Sequence, residues 1–225
     1  MGMFSGLPLH YASRPRMLNC FTTHLSRRLR LLEKKIGGNN ISGNSNGLDK
    51  IVSAAVEIVE ETGFENLTLT AVAKLLGVRQ PALYRQVKSR QEVLRAVSLR
   101  GREMLAAELT DAGIGLSGED AVRALGHAWR RFVQVHPKLY FAIDAYPCAG
   151  DSELEDAVER VVSVIELALR GFGLSDEQEI HAARALRSAW HGFSDIEARQ
   201  GHPMPHNLDD TFEHMLDFLC AGVKQ

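Results

Sequence analysis

The sequence predicts an all-α chain: a three-helix head built around a helix-turn-helix, followed by a helical bundle. Three observations carry that expectation. Apolar side chains recur at three- and four-residue spacing from Leu48 onward, and no stretch shows a convincing strand alternation. Gly, Pro and capping residues stand where such helices would start and stop. The charge is also divided. Residues 1–47 carry seven basic side chains against one acid, residues 48–102 nine against six, and residues 103–225 ten against 21. A formal net charge of −2 therefore hides a basic front and an acidic rear, the mark of modules with different partners.

Residues 1–36 are basic and weakly patterned, with a short amphipathic basic helix expected at Ser26–Lys35 (SRRLRLLEKK). Gly37–Gly47 (GGNNISGNSNG) lacks the apolar side chains to fold and reads as a flexible linker. Residues 1–47 are thus expected to form a disordered leader and linker. The leader is open to three readings: an arm that grasps nucleic acid, a targeting peptide, or residues upstream of the true start. The head is expected at 48–95 and the bundle at 96–225.

Leu48, Ile51, Val52, Ala55, Val56 and Val59 form one face of the first helix, which Gly63 ends. A second helix is expected over Leu69–Leu76, capped by Thr68 and stopped by Gly77. A third begins near Gln80–Pro81, proline being well placed in a first helical turn. A fourth starts near Ser89 and runs past Arg102. Five more follow near 119–136, 138–146, 152–171, 176–200 and 208–222. Pro137 separates the first two, Ser175 and Asn207 are N-caps, and Gly173 and Gly201 are stops.

Several classes are excluded. No stretch approaches the roughly 18 uninterrupted apolar residues of a membrane-spanning helix. Cys20, Cys148 and Cys220 are odd in number and far apart, which speaks against a disulfide framework or a zinc site and for a reducing, cytoplasmic setting. No GxSxG, P-loop, HExxH or paired-carboxylate arrangement suggests catalysis, and no cofactor is implied.

The segment from Thr68 to Leu94 carries the function. Gly77 supplies the positive φ of the turn, Ala73 is small where two helices cross, and Val78, Leu83 and the apolar part of Tyr84 are expected to pack the second helix on the first. Residues 74–102 hold eight basic side chains against Glu92 alone. A basic run is usually only a solvated helix face. Its coincidence with a helix-turn-helix favours double-stranded DNA, with salt-dependent binding through counterion release.

Ala73-x-x-x-Gly77-Val78, then Gln80-Pro81-Ala82-Leu83-Tyr84 and Val87-Lys88, resembles the tetracycline-repressor (TetR) family of transcriptional regulators. The resemblance covers residues 48–102 and implies contacts residue by residue. Thr68 and Tyr84 match phosphate-binding positions, and Lys88 matches a lysine that clamps the backbone. Gln80 matches a base-reading glutamine, suited to the paired donor and acceptor of adenine. Pro81 and Ala82 match positions that touch thymine methyls. Thr70 departs from a base-reading arginine, and Arg79 from a serine or acidic residue. Arg85 and Gln86 also differ, so phosphate contacts should persist while base preference changes.

In the rear, Val122, Leu125, Trp129, Phe132 and Val133 share one face; Ala182, Ala185, Leu186, Ala189, Phe193 and Ile196 another; and Leu208, Phe212, Met215, Leu216 and Leu219 a third. Trp190-His191-Gly192 and the stretch Phe132–Tyr140 are similar to a Trp-His-Gly subclass of the same family. That resemblance implies a homodimer through the helices near 176–200 and 208–222, and a small-molecule effector pocket. Trp129, Phe132, His136, Tyr140, Phe141, Trp190 and His191 are its candidate lining; at helical spacing, aromatic residues are more often plain core. His127, His136 and His191 could sense pH but more often satisfy a helix end or core, and His191-Gly192 could serve close packing at a dimer seam. His202 and His206 lack an organised third ligand for a metal, and Cys148 reads as an inert thiol. The expected function is a ligand-released repressor on a palindromic operator. The alternatives are an effector-independent regulator, or a small-molecule-binding helical protein or enzyme that merely retains the head.

Overall fold

The computed structural model describes residues 45–224, with side-chain burial from Gly47 onward; the expected leader helix and most of the linker lie outside them. The described residues contain helices and no strand. In chain order these are α1 (Ser45–Thr62), a 3-10 turn (Phe64–Asn66), α2 (Leu69–Leu75), α3 (Gln80–Leu83), α4 (Arg90–Gly113), α5 (Gly118–Val135), α6 (Pro137–Ala145), α7 (Ser152–Leu169), a 3-10 turn (Arg170–Phe172), α8 (Asp176–Ala198) and α9 (Leu208–Val223). None of them is long and apolar enough to cross a membrane.

Helix boundaries follow side-chain capping. Thr68 Oγ1 accepts from Ala71 N, Ser89 Oγ from Glu92 N, Ser175 Oγ from Gln178 N and Asn207 Oδ1 from Asp209 N. Ser175 and Gln178 close a reciprocal capping box. Pro137 opens α6 directly after α5, with His136 alone between them. Gly201 is not the residue that stops α8. Gln200 adopts the left-handed conformation (φ 57°), while Gly201 N bonds back to the Ile196 carbonyl at 2.8 Å. This is a Schellman closure with glutamine where glycine is usual.

One apolar core runs from head to body. Ile51, Ala55 and Val59 of α1 meet Leu67, Val72, Leu83 and Val87 of the head, but Leu48 is exposed. Helix α4 passes unbroken through the expected 95/96 boundary. It places Val93, Leu94 and Val97 toward the head and Leu105, Ala106 and Leu109 toward the body. α4 packs against α6, α7 and α5 as well as α1. Where it crosses α6, buried Ser98 donates to the Ile143 carbonyl at 2.6 Å, and buried Arg102 lies on Ser98.

The predicted face of α5 is fully inward: Val122, Leu125, Trp129, Phe132 and Val133 are all buried. On α8 the inward line is Ala183, Leu186, Trp190, Phe193 and Ser194, whereas Ala185 and Ile196 of the expected face point outward. On α9, Phe212, Leu216 and Cys220 are buried. Arg130 ties these three helices together. Its side chain is buried, bonds both Glu197 oxygens at 2.8 and 2.6 Å, reaches Asp209 at 2.8 Å, and lies over the Phe193 and Phe212 rings. Burial of a charge is tolerated when it is paired and hydrogen-bonded.

The crossing of α5 with α8 and α9 depends on Gly126. A Cβ there would lie 2.8 Å from Leu216 Cδ2 and 2.9 Å from Trp190 Nε1. Gly126→Ala is therefore expected to destabilise the fold by about 1–3 kcal/mol, despite alanine's better helix propensity. Urea denaturation with an unchanged m-value would register this as a lower midpoint.

Candidate nucleic-acid interface

The helix-turn-helix is built from short pieces that could not hold their shape alone. α2 ends where Val78 N bonds the Ala73 carbonyl at 3.0 Å and Gly77 takes φ 66°, a conformation that costs other residues about 1 kcal/mol or more. α3 has four residues and starts on Pro81 at its first turn. Leu83 and Val87 anchor it in the core. Val78 and Tyr84 do not pack there as expected; they are 44% and 52% exposed. The anchor comes from the residues flanking Tyr84, which leaves Tyr84 on the outer surface.

Thr68, Thr70, Arg79, Pro81, Ala82, Tyr84, Arg85 and Lys88 are all exposed, and Gln80 is half-exposed. Three of them form a chain. Thr70 Oγ1 donates to Gln80 Oε1 at 3.0 Å, and Gln80 Nε2 donates to Tyr84 Oη at 3.3 Å. Thr68 uses an oxygen lone pair as the α2 cap. Its hydroxyl proton remains able to serve a phosphate. Lys88 precedes α4, and its backbone N–H donates to Glu92 Oε2 at 2.7 Å while Ser89 caps Glu92 N. These two bonds fix the backbone from which the Lys88 ammonium projects.

Only half of the basic window faces outward. Lys74, Arg79, Arg85 and Lys88 are exposed and make no ion pair with a described residue. Arg90 instead turns inward, donating to the Leu67 carbonyl at 2.7 Å and the Phe64 carbonyl at 2.6 Å. Arg95 pairs with Asp151 and with Glu153, Arg100 with Asp49 at 2.5 Å, and Arg102 with Asp144 of α6 at 3.8 Å. Arg95 holds the Asp151 carboxyl below its usual range. These four arginines tie α4 to its neighbours. No spacing rule marks an arginine as inward-facing, so the basic count of residues 74–102 includes them.

In the body, Trp129, Phe132, Tyr140 and Trp190 come together, all buried. Trp129 Nε1 donates to Tyr140 Oη at 3.0 Å, and Tyr140 Oη lies 2.6 Å from His191 Nδ1. Burial pushes the Tyr140 phenol well above its ordinary value, so it keeps its proton. That proton is placed to be shared with His191 Nδ1. Of the other two candidates, His136 touches the cluster through Phe132 (ring centroids 5.2 Å) while its Nδ1 points away, and Phe141 makes its ring contact elsewhere. His136 Nδ1 meets Glu60 Oε1 of α1 at 2.5 Å, and Phe141 lies under the Arg199 guanidinium at 4.0 Å. His127 contacts Glu213 at 3.0 Å rather than the cluster.

A short, exposed second helix carrying polar and small side chains, flanked by four outward cations on an all-helical body, defines a helix-turn-helix DNA-binding regulator. Residues 51–97 match the family described as bacterial regulatory proteins, tetR family, and residues 122–219 match a tetracyclin repressor-like C-terminal domain. The chain is 32% identical over 178 residues to an uncharacterized HTH-type transcriptional regulator, Rv0681, of Mycobacterium tuberculosis, covering 79% of this chain and 81% of that one. The fold is shared with SCO7222, a TetR from Streptomyces coelicolor (TM-score 0.64, 18% identity, 82% of this chain and 98% of that one). It is also shared with BioQ, solved with its natural double-stranded DNA operator (TM-score 0.59, 22% identity, 79% and 97%). The chain belongs to the TetR family of DNA-binding transcriptional regulators. The rear match is coarser than the Trp-His-Gly subclass.

The two sets of arginines should separate in solution. Arg85→Ala is expected to flatten the dependence of log K on log salt by about one unit per protomer, leaving stability within about 0.5 kcal/mol. Arg90→Ala should do the reverse: about 2 kcal/mol less stability, as buried carbonyls lose a charged donor, with the salt slope retained. Salt titration of duplex binding and denaturant melts measure both.

Proposed function

We propose that this regulator is a cytoplasmic repressor without catalytic activity, which binds a palindromic operator as a homodimer and is released by a small-molecule effector. The observation that carries the dimer is an apolar stripe on two adjacent helices. Ala185, Ala189, Gly192 and Ile196 of α8, and Met215, Phe218 and Gly222 of α9, recur at the spacing of one helix face. Phe218 is 78% exposed, and no described atom lies within 4 Å of a Cβ built on Gly192 or Gly222. Such a face admits close approach by a second copy, and a two-fold dimer presents two recognition helices to two half-sites. Within each half-site Gln80 reads a base edge, Pro81 and Ala82 meet thymine methyls, and Thr68, Tyr84, Arg79, Arg85 and Lys88 serve phosphates.

The effector reading rests on the buried cluster. Trp190 Nε1 and Ser194 Oγ, one turn apart on the inner face of α8, are buried with no hydrogen-bond partner among the described residues. An unsatisfied buried donor costs about 1–3 kcal/mol, which a ligand bearing acceptors would relieve. Reaching Nε1 parts α5 from α8 at Gly126. The end of α5 and the start of α6 hold α1 through His136–Glu60 and through Lys138, which donates to the Glu61 carbonyl. A ligand that favours the parted arrangement therefore shifts the head, provided it binds the two conformers with different affinity.

Phe218→Glu, an exposed substitution, should convert dimer to monomer by sedimentation without loss of helicity. It should also erase the preference for a palindrome over an isolated half-site. A wild-type chain that is monomeric on its operator would end the dimer reading. For the effector, a metabolite that raises the melting temperature by mass action should also weaken the gel shift. If every stabilising compound leaves DNA affinity unchanged, effector release fails and effector-independent regulation stands.

A further inference from the structure

A hydrogen-bonded chain runs from Thr70 through Gln80 to Tyr84. We infer that Thr70 is a positioning residue for Gln80, not a reader of bases, and that operator specificity depends on its hydroxyl. The inference rests on the proposed reading of DNA by Gln80.

A primary amide has four hydrogen-bonding positions, two lone pairs on Oε1 and two N–H groups on Nε2. Here one lone pair is taken by the Thr70 hydroxyl at 3.0 Å and one N–H by Tyr84 Oη at 3.3 Å. One acceptor and one donor remain, which is the complement adenine offers through N6 and N7. Thr70 sits on α2, and Gln80 and Tyr84 sit on α3, so the amide is held from both helices of the motif. Without such flanks, an exposed glutamine has freely rotating side-chain bonds, and fixing them on binding costs affinity. Both flanking groups are hydroxyls and can either donate or accept, so they hold the plane of the amide whichever way round it lies. Threonine is too short to reach past Gln80, and its single hydroxyl proton is already committed to Oε1. A residue at this place that itself contacted bases would instead leave Gln80 unheld.

The test uses the full chain and duplexes selected from a randomised library. The wild type must first yield a consensus with salt-dependent binding; if it does not, the DNA reading itself fails, independently of Thr70. Affinities for the consensus and its single-base variants are then measured for Thr70→Val, Thr70→Ser, Gln80→Ala and the double variant Thr70→Val/Gln80→Ala. Thr70 and Gln80 are surface side chains, and melting curves confirm that each variant folds. The expected result has four parts. Thr70→Val loses about 3- to 10-fold of discrimination at the same base pairs that Gln80→Ala affects. The salt slope is unchanged. Thr70→Ser retains discrimination. The double variant is no worse than Gln80→Ala, because the two residues act through one contact. Additive losses at different base pairs would make Thr70 a base reader and overturn the inference. So would a uniform loss across all sequences, the sign of a phosphate contact, or no effect of Thr70→Val.

Discussion

The structure depends on α4 being one uninterrupted helix. Its first turns complete the head, where Val93, Leu94 and Val97 join the apolar core on the side of α1, and its later turns enter the body through Leu105, Ala106 and Leu109. Four-residue α3 and seven-residue α2 are below the length at which helices persist in water. α2 is held by packing on α1, α3 by packing on α2, and α1 in turn packs on α4, so the recognition surface depends on α4 being anchored in a larger core. The polar seam at Ser98, Arg102 and Ile143 fixes the register of α4 on α6, since a slip would strand a buried hydroxyl and a buried guanidinium.

The same dependence explains why charge is arranged as it is. The near-cancellation to −2 is not neutrality of the parts. Acids on other helices draw the α4 arginines inward or sideways: Asp151 and Glu153 of α7 take Arg95, and Asp49 of α1 takes Arg100. Four basic side chains remain for a partner, all at or near the short helices. Phosphate neutralisation scales with cations that can reach phosphates, not with the basic count of a window. The inward four also help to fix how the head sits on the body.

Most of the fold was legible because helix ends are written in local chemistry. Thr68, Ser89, Ser175, Asn207, Pro137 and Gly77 act through contacts within four residues, so their spacing in sequence is their spacing in space. What failed were properties set by distant partners. Ala185, Ala189 and Ile196 of α8 share a helical period and are apolar, yet only the placement of α5 and α9 decides that they face outward while Trp190 and Ser194 face inward. Val78 and Tyr84 read as packing residues because they are apolar and near Leu83; the four-residue length of α3 leaves room for one anchor only. Among the candidate site residues, the DNA-contact positions come from the resemblance to the family, and the turn explains only why they share one exposed surface. The hydrogen-bonded order among Thr70, Gln80 and Tyr84 could not be named, since it needs α2 and α3 at a known crossing.

The contrast between the two candidate sites follows from the same division. The DNA-facing surface is rigid by construction: a capped α2, a glycine turn, a capped start to α4, and an amide held on both sides. Its solvent exposure means that few of its groups are unsatisfied when nothing is bound. The body's aromatic cluster is the opposite, because it is buried and yet leaves Trp190 Nε1 and Ser194 Oγ without partners. An unpartnered buried donor lowers stability, so Trp190 Nε1 beside Gly126 makes the α5–α8 contact incompletely satisfied among the described residues. A regulator needs one stiff surface, to make its reading of DNA specific. The proposed effector release would act at the second, less satisfied place. The path between the two is short: α5 ends at His136, His136 holds Glu60, and Glu60 belongs to the helix on which the whole head is packed.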